Sequence, residues 1–229
     1  MSETVLISRL LEAAKPHVPF DGWSETTLRM AAMDADIDPG LIPAICPRGA
    51  VDLALAYHAE GDREMLRRLE EADLTGMRFR DRIAHAVRVR LDVVEDPELV
   101  RRGTTLFALP QHAADGAKAI WRTCDHIWTA LGDTSDDVNW YTKRATLAGV
   151  YASTVLYWLG DESEDSTRTW AFLDRRIDGV MQIEKLKSKA RDNRLVSGLL
   201  AGPLKVLSHV RAPQARQQTG MPGRWRDSN

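Results

Sequence analysis

Helix stops and caps recur along the whole of this 229-residue chain, and strand signals are nearly absent. Alternating runs rich in Val, Ile and Thr, the mark of a half-buried strand, are hardly found. Pro16 and Pro19 stop a first helix over Val5–Lys15. Ser24 caps a second helix to about Ala35, with Glu25 in its first turn. Asp38 caps a short third one that has Pro39 at its first position. After the break at Pro47 and Gly49, helices are expected over Val51–Ala72 (with an interruption at Gly61), Met77–Glu95, Pro97–Ala108, Gln111–Leu131, Asn139–Leu159 and Glu164 to about Ala190. The chain reads as all-α. A helix-turn-helix-like unit occupies residues 1–50, a helical domain 51–190, and an amphipathic helix with a basic tail 191–229.

Charge divides the chain the same way. Residues 185–226 hold ten basic side chains against the single acid Asp192, whereas the whole chain has a net charge of −2. An acidic body therefore carries a basic tail, a pattern that suits an anionic membrane surface or nucleic acid. On a helical wheel of residues 194–210, Leu195, Val196, Leu199, Leu200, Leu204 and Leu207 share one half, and Arg194, Ser197, Lys205 and Ser208 share the other. Pro203 sits inside that helix and is expected to kink or split it. The uncharged stretch Ala145–Gly160 has 16 residues, fewer than a spanning helix needs. Met1–Lys15 carries Glu3 and Glu12, so it does not read as a secretory signal or a transit peptide. The expectation is a bacterial protein, or one whose targeting segment has gone.

Chemistry-bearing motifs are missing. There is no Gly-x-Ser-x-Gly elbow, no Gly-Lys-Ser/Thr phosphate loop and no Gly-x-Gly-x-x-Gly. No Glu-x-x-His pair is present, the six histidines are scattered, and His112 with Asp115 reads as a surface pair. Cys46 and Cys124 make no disulfide framework. No catalytic residue, metal or cofactor is expected. DNA reading finds little support either. Residues 20–50 place Asp21, Glu25, Asp34, Asp36 and Asp38 against only Arg29 and Arg48, and Pro39–Ile45 offers no side chain that reads a base edge.

Tryptophan departs from the average, with seven in the chain and four between Trp121 and Trp158. Trp121 and Trp128 are seven apart and share a helix face with Ile120, Ile127 and Leu131 near Phe107. Tyr151, Val155 and Trp158 do the same on the next helix. Spacing alone fits two readings, a packed core or the wall of a cavity for a long apolar ligand. The run Gly132-Asp-Thr-Ser-Asp-Asp-Val-Asn-Trp-Tyr-Thr-Lys-Arg144 ends one helix and caps the next. It then sets Trp140 and Tyr141 in a first turn, where one of two adjacent rings points outward, as at protein-binding hot spots. An arginine beside an apolar cavity could hold a phosphate, and Arg144 closes this run.

These residues carry a resemblance. Pro19-Phe-Asp-Gly-Trp23, Pro47-Arg-Gly49, the Gly132–Arg144 run and Thr169-Trp-Ala-Phe-Leu-Asp-Arg-Arg-Ile177 are similar to the coenzyme Q (ubiquinone) biosynthesis accessory lipid-binding family, number nine of that gene set. The resemblance covers roughly residues 10–186. It implies a TetR-regulator-like helical fold, dimeric and without a repressor's DNA binding. It implies an apolar pocket for isoprenoid quinone intermediates and phospholipid, held as cargo without a cofactor. It implies membrane attachment through a C-terminal amphipathic helix, for which residues 194–210 qualify, and presentation of quinone precursors to the demethoxyubiquinone hydroxylase, which does the chemistry. Trp140 and Tyr141 fall on the family's hydroxylase-docking patch, and Arg144 on its phospholipid contact. The lipid-lining set is then Arg144, Phe107, Trp121, Trp128, Tyr151, Val155 and Trp158. The expected location is cytoplasmic and peripheral on a bacterial inner membrane, or the mitochondrial matrix side of the inner membrane. The rival reading is a TetR-type ligand-sensing transcriptional regulator.

Overall fold

The computed structural model describes residues 3–192 and Ala212. The expected membrane-binding residues Leu195, Val196, Leu199, Leu200, Leu204 and Leu207 lie outside the described residues. Ten α-helices follow in order: α1 (Glu3–Ala14), α2 (Val18–Asp21), α3 (Glu25–Asp34), α4 (Ile42–Ile45), α5 (Ala50–Glu71), α6 (Phe79–Asp92), α7 (Pro97–Phe107), α8 (Ala113–Ala130), α9 (Val138–Trp158) and α10 (Thr167–Asp192). Short 3₁₀ turns at Pro39–Leu41 and Glu164–Ser166 lead into α4 and α10. Among the described residues there is no strand.

Local side chains set many of these boundaries. The Ser24 hydroxyl accepts from Thr27 N–H at 3.2 Å, and Asp38 accepts from Gly40 N–H at 2.8 Å. Asp96 and Asp137 cap α7 and α9 in the same manner. The expected third helix is less than a helix. Pro39–Leu41 winds as a 3₁₀ turn, and α4 adds four residues. A recognition helix needs a continuous face to lie in a DNA major groove, and this segment lacks the length.

Two apolar cores stack along α5. One gathers Leu10, Leu11, Ala14, Val18, Trp23, Leu28 and Ala31 with Leu53 and Ala54 of α5 and Leu99 of α7. The other joins Met65 and Leu69 of α5 to Val87, Ile127, Val150, Tyr151, Leu173 and Ile177 from α6, α8, α9 and α10. At 22 residues, about 33 Å long, α5 reaches through both. The N-terminal unit is therefore fastened to the body. Trp23 Nε1 donates to Leu99 O at 3.0 Å, and Arg102 Nη2 donates to Pro19 O at 2.7 Å.

The interruption expected at Gly61 does not occur, because α5 runs straight through it. The glycine is there for a close approach. A Cβ built on Gly61 would stand 2.7–2.9 Å from the Arg90 guanidinium of α6. That guanidinium cannot swing aside without leaving its partners, Asp62 at 2.7 Å and His58 O at 3.1 Å.

Gly149, on an exposed face of α9, has nothing within 4 Å of a Cβ. Gly149→Ala should raise stability by about 0.5–1 kcal/mol through helix propensity. Gly61→Ala, the same change in a helix interior, should instead lower it by about 1–3 kcal/mol through overpacking. Urea unfolding of both variants checks the difference in sign.

Candidate functional site

A cavity of about 510 Å³ opens between the two cores. Helices α5, α6, α7, α8 and α9 line it, with Trp23 at its inner side. Its volume lies within the range of small-molecule sites, and its wall is mostly Ala, Val, Leu and aromatic side chains. The α8 wall is Ala113, Gly116, Ala117 and Ile120, spaced three and four apart so that small residues open one stripe of the helix.

Phe107, Tyr151 and Val155 line this cavity. Trp121, Trp128 and Trp158, expected on the wall from spacing, are not among its lining residues, and neither is Arg144, which the resemblance assigned to a phospholipid contact. Trp121, about 100° further round α8 than Ile120, packs on Trp140 and Tyr141 instead. Trp128 shares that side of α8, packs on Phe79 and donates Nε1–H to Lys143 O at 3.2 Å. Trp158, at the end of α9, borders a separate pocket with Pro97 and Arg101.

One end of the cavity is polar. Arg90 is only 5% exposed, and so is tied down: its Nε donates to Asp62 Oδ1 at 2.7 Å and its Nη2 to His58 O at 3.1 Å. Thr123 of α8 donates to both Asp62 oxygens at 2.9 and 3.1 Å. His58 Nε2 stands 2.8 Å from the Thr123 hydroxyl, and His126 Nδ1 is 3.5 Å from Asp62 Oδ2. Burial works to raise the Asp62 carboxyl, but His126, His58 and Arg90 outweigh it and hold it at about 2. Burial and the Arg90 charge push His58 down to about 4, so its ring is neutral near pH 7. None of Arg90, His58 and Asp62 was legible as a site residue. The available signal was Arg90 itself, a charge in the apolar register of Ala86, Val87 and Leu91.

The second constellation is the loop between α8 and α9. Gly132 takes a left-handed φ of 81°, closing α8 with its N–H on Thr129 O. Asp133 then becomes a hub. Lys143 Nζ reaches Oδ1 at 2.7 Å, and Arg144 Nη1 reaches Oδ2 at 2.9 Å. Burial favours the neutral Asp133 carboxyl, yet Lys143, Arg144 and Ser135 together hold it at about 2. Arg144 is 2% exposed and also bonds Asp125 at 2.6 Å and Trp140 O at 3.1 Å. Its guanidinium therefore acts as a brace. It lies 4.1 Å from the centre of the Trp140 ring, a cation–π contact.

Trp140, Tyr141 and Trp121 form a half-buried aromatic cluster on that brace, with ring centroids 4.8–6.4 Å apart. The expectation that one of the adjacent rings stands clear is replaced by a tight group in which both are partly covered. Ala212 N–H donates to Asp136 O of this loop at 2.8 Å. No group of three His, Cys, Asp or Glu among the described residues is arranged to hold a metal. No described helix is long and apolar enough to cross a membrane.

Residues 113–184 match the COQ9 family model, a span that contains the braced loop and its aromatic cluster. The chain is 27% identical over 188 residues to the probable ubiquinone biosynthesis protein coq9, mitochondrial, of Dictyostelium discoideum, covering 79% of this chain and 61% of that one. It is 30% identical over 192 residues to the mitochondrial ubiquinone biosynthesis protein COQ9 of Xenopus tropicalis, covering 79% and 59%. It is 27% identical over 212 residues to that of Homo sapiens, covering 87% and 65%. The chain thus spans about three fifths of the length of these relatives. A solved TetR transcriptional regulator from Nitrosomonas europaea ATCC 19718 superposes with a TM-score of 0.62 at 20% identity, covering 76% of this chain and 96% of that one. That likeness is one of fold alone. The chain is thus similar to the COQ9 family over residues 113–184, within an all-α, TetR-like fold.

The network beside the cavity makes stability fall with acid in two stages. His58 has a folded value near 4 against 6.5 when free, so the unfolded chain takes the proton first. Stability therefore drops from pH 6.5 to 4, by on the order of 2–3 kcal/mol, and His58 adds no further loss below that. Asp62 and Asp133, each near 2 against 3.8, extend the loss from about pH 4 downward. His58→Gln should flatten the upper stage, read as unfolding free energy in urea at pH 7 and pH 5.

Proposed function

We propose that this COQ9 homologue takes part in ubiquinone biosynthesis as a non-catalytic lipid-binding protein, carrying isoprenoid quinone intermediates and handing them to the demethoxyubiquinone hydroxylase. The observation that carries this reading is the 510 Å³ cavity with its apolar wall, built into a COQ9 homologue. A polyprenyl chain is driven from water by about 25 cal/mol per Å² of apolar surface, and the cavity offers a place to enclose part of it. The absence of a nucleophile or metal motif in the sequence fits a carrier whose partner does the chemistry.

The aromatic cluster is the proposed docking surface for the hydroxylase. Trp140 and Tyr141 are large and held rigid by the Arg144–Asp133 brace, so they lose little side-chain freedom on binding. Arg144, braced by two carboxylates, supports that surface. Contact with a phospholipid phosphate would require it to exchange one of those carboxylates.

Attachment to the membrane that holds the quinone is assigned to the amphipathic segment 194–210. The basic residues around it add about 1 kcal/mol each near anionic lipid. On this reading the protein is peripheral, at the inner membrane where the quinone is made. A homodimer is proposed through the outer faces of α9 and α10, where Tyr157 is 38% exposed and stacks on Phe172 at 4.5 Å. The regulator reading draws only on the fold, and the four-residue α4 gives it no reading helix.

Ala117→Trp, at the exposed side of the cavity, should lower affinity for a short-chain ubiquinone analogue by about tenfold or more, since the ring occupies the tail's space. Titration of purified protein checks this, and an unchanged affinity would remove the cavity from the account. Trp140→Ala should weaken binding to the purified hydroxylase by about tenfold with the helical spectrum intact.

A further inference from the structure

The two most exposed large apolar side chains among the described residues, Phe20 at 83% and Met33 at 72%, both belong to the N-terminal unit. Met30, at 39%, joins them. None of the three packs into either core or lines the cavity.

Two side-chain contacts place them on one face. The Thr27 hydroxyl donates to Gly22 O at 2.6 Å, which joins the start of α3 to the end of α2. His17 Nε2 stands 2.7 Å from Asp34 Oδ2, which joins the start of α2 to the end of α3. The two helices therefore lie side by side and antiparallel. Phe20 is three residues on from His17, and Met30 is one turn back from Asp34, so both stand one step along from a touching pair in the same direction. Met33, next to Asp34, ends the row.

The backbone that carries Phe20 is fixed on both sides. Arg102 of α7 donates to Pro19 O at 2.7 Å, and Trp23 Nε1 donates to Leu99 O at 3.0 Å. An exposed ring on a held backbone gives up little freedom when it is covered. Single apolar side chains are ordinary on a surface, but three on one face, two of them the most exposed, mark a contact surface.

Charge selects what covers it. On α2, α3 and the loop that follows, Asp21, Glu25, Asp34, Asp36 and Asp38 stand against Arg29 and against Arg9, whose Nη2 donates to Ala35 O at 2.5 Å. This balance repels nucleic acid and anionic lipid, and a second copy of the same face would bring like charges together. The chain's own basic segment is anchored elsewhere. Arg48 of the N-terminal unit bridges Asp115 in the first turn of α8 at 3.0 Å, whereas Ala212 N–H bonds Asp136 O beyond the other end of that 18-residue helix, about 27 Å along.

We propose that the Phe20–Met30–Met33 face is a docking surface for a cationic amphipathic segment of another protein. Its apolar side chains cover Phe20 and Met33, and its Lys or Arg side chains meet Asp21, Asp34 and Asp36. This surface lies at the opposite end of α8 from the Trp140–Tyr141 cluster, so both can be engaged at once. It does not depend on the carrier reading.

The test uses the full-length chain and a labelled lysine–leucine peptide of about 18 residues, long enough to form a helix, with leucines three and four apart. A twin peptide has glutamate in place of every lysine. In anisotropy titrations the lysine peptide should bind at least about tenfold tighter than its twin. Phe20→Ser/Met33→Ser should weaken the lysine peptide about tenfold, and Asp21→Asn/Asp36→Asn about three- to fivefold. All four side chains are exposed, so the helical spectrum and the subunit number should stay as in the wild type. Equal affinity for the two peptides, no binding of either, or a lysine peptide that binds Phe20→Ser/Met33→Ser as tightly as wild type overturns the docking surface. So does a change of subunit number in that variant, which would assign the face to contacts between copies of this chain.

Discussion

A guanidinium taken out of water must be paired, and pairing Arg90 with Asp62 determines how α5, α6 and α8 meet. The ion pair at 2.7 Å joins α6 to α5, and Thr123 adds α8 through the same carboxylate. Gly61 exists in the middle of α5 to let Arg90 lie that close. The three helices are thereby held at one polar point, and Arg90 and His58 of that point line the cavity. Removing one member of such a pair strands a buried charge, at about 3–5 kcal/mol, so the cavity and the stability of the body are linked.

A second buried arginine does corresponding work at the other side of α8. Arg144 gathers Asp125, Asp133 and the Trp140 carbonyl, and stacks under the Trp140 ring. The result is a rigid aromatic surface about one helix away from the cavity, with no shared lining residue between Trp140 or Tyr141 and the cavity wall. Storage and docking are therefore physically separate on the proposed function, and each can be altered by substitution without filling or emptying the other. Both depend on α8, whose Ala–Gly stripe opens inward while Trp121 and Trp128 face α9.

Features set by neighbouring residues were legible in the chain. The caps at Ser24 and Asp38 and the helices that follow depend on atoms two or three residues away, and they stand within a few residues of where spacing put them. Phe107, Tyr151 and Val155 lie on apolar faces that periodicity picks out. Trp121 and Trp128 show the limit of that signal. They share a helix face as expected, but which neighbour that face meets depends on how α8 is rotated against α9. Arg90, His58 and Asp62 were out of reach because Arg90 and Asp62 pair across 28 positions of sequence. The glycine that marks their meeting reads locally as a helix breaker.

The central claim is that the cavity carries a prenylated lipid. The most direct measurement is native mass spectrometry of the purified full-length chain, followed by extraction and identification of what comes with it. The account predicts a bound prenylated quinone or phenol precursor that is absent from the Ala117→Trp protein. A chain that is empty across several preparations, or that carries the same lipid whether or not the cavity is filled, would contradict it.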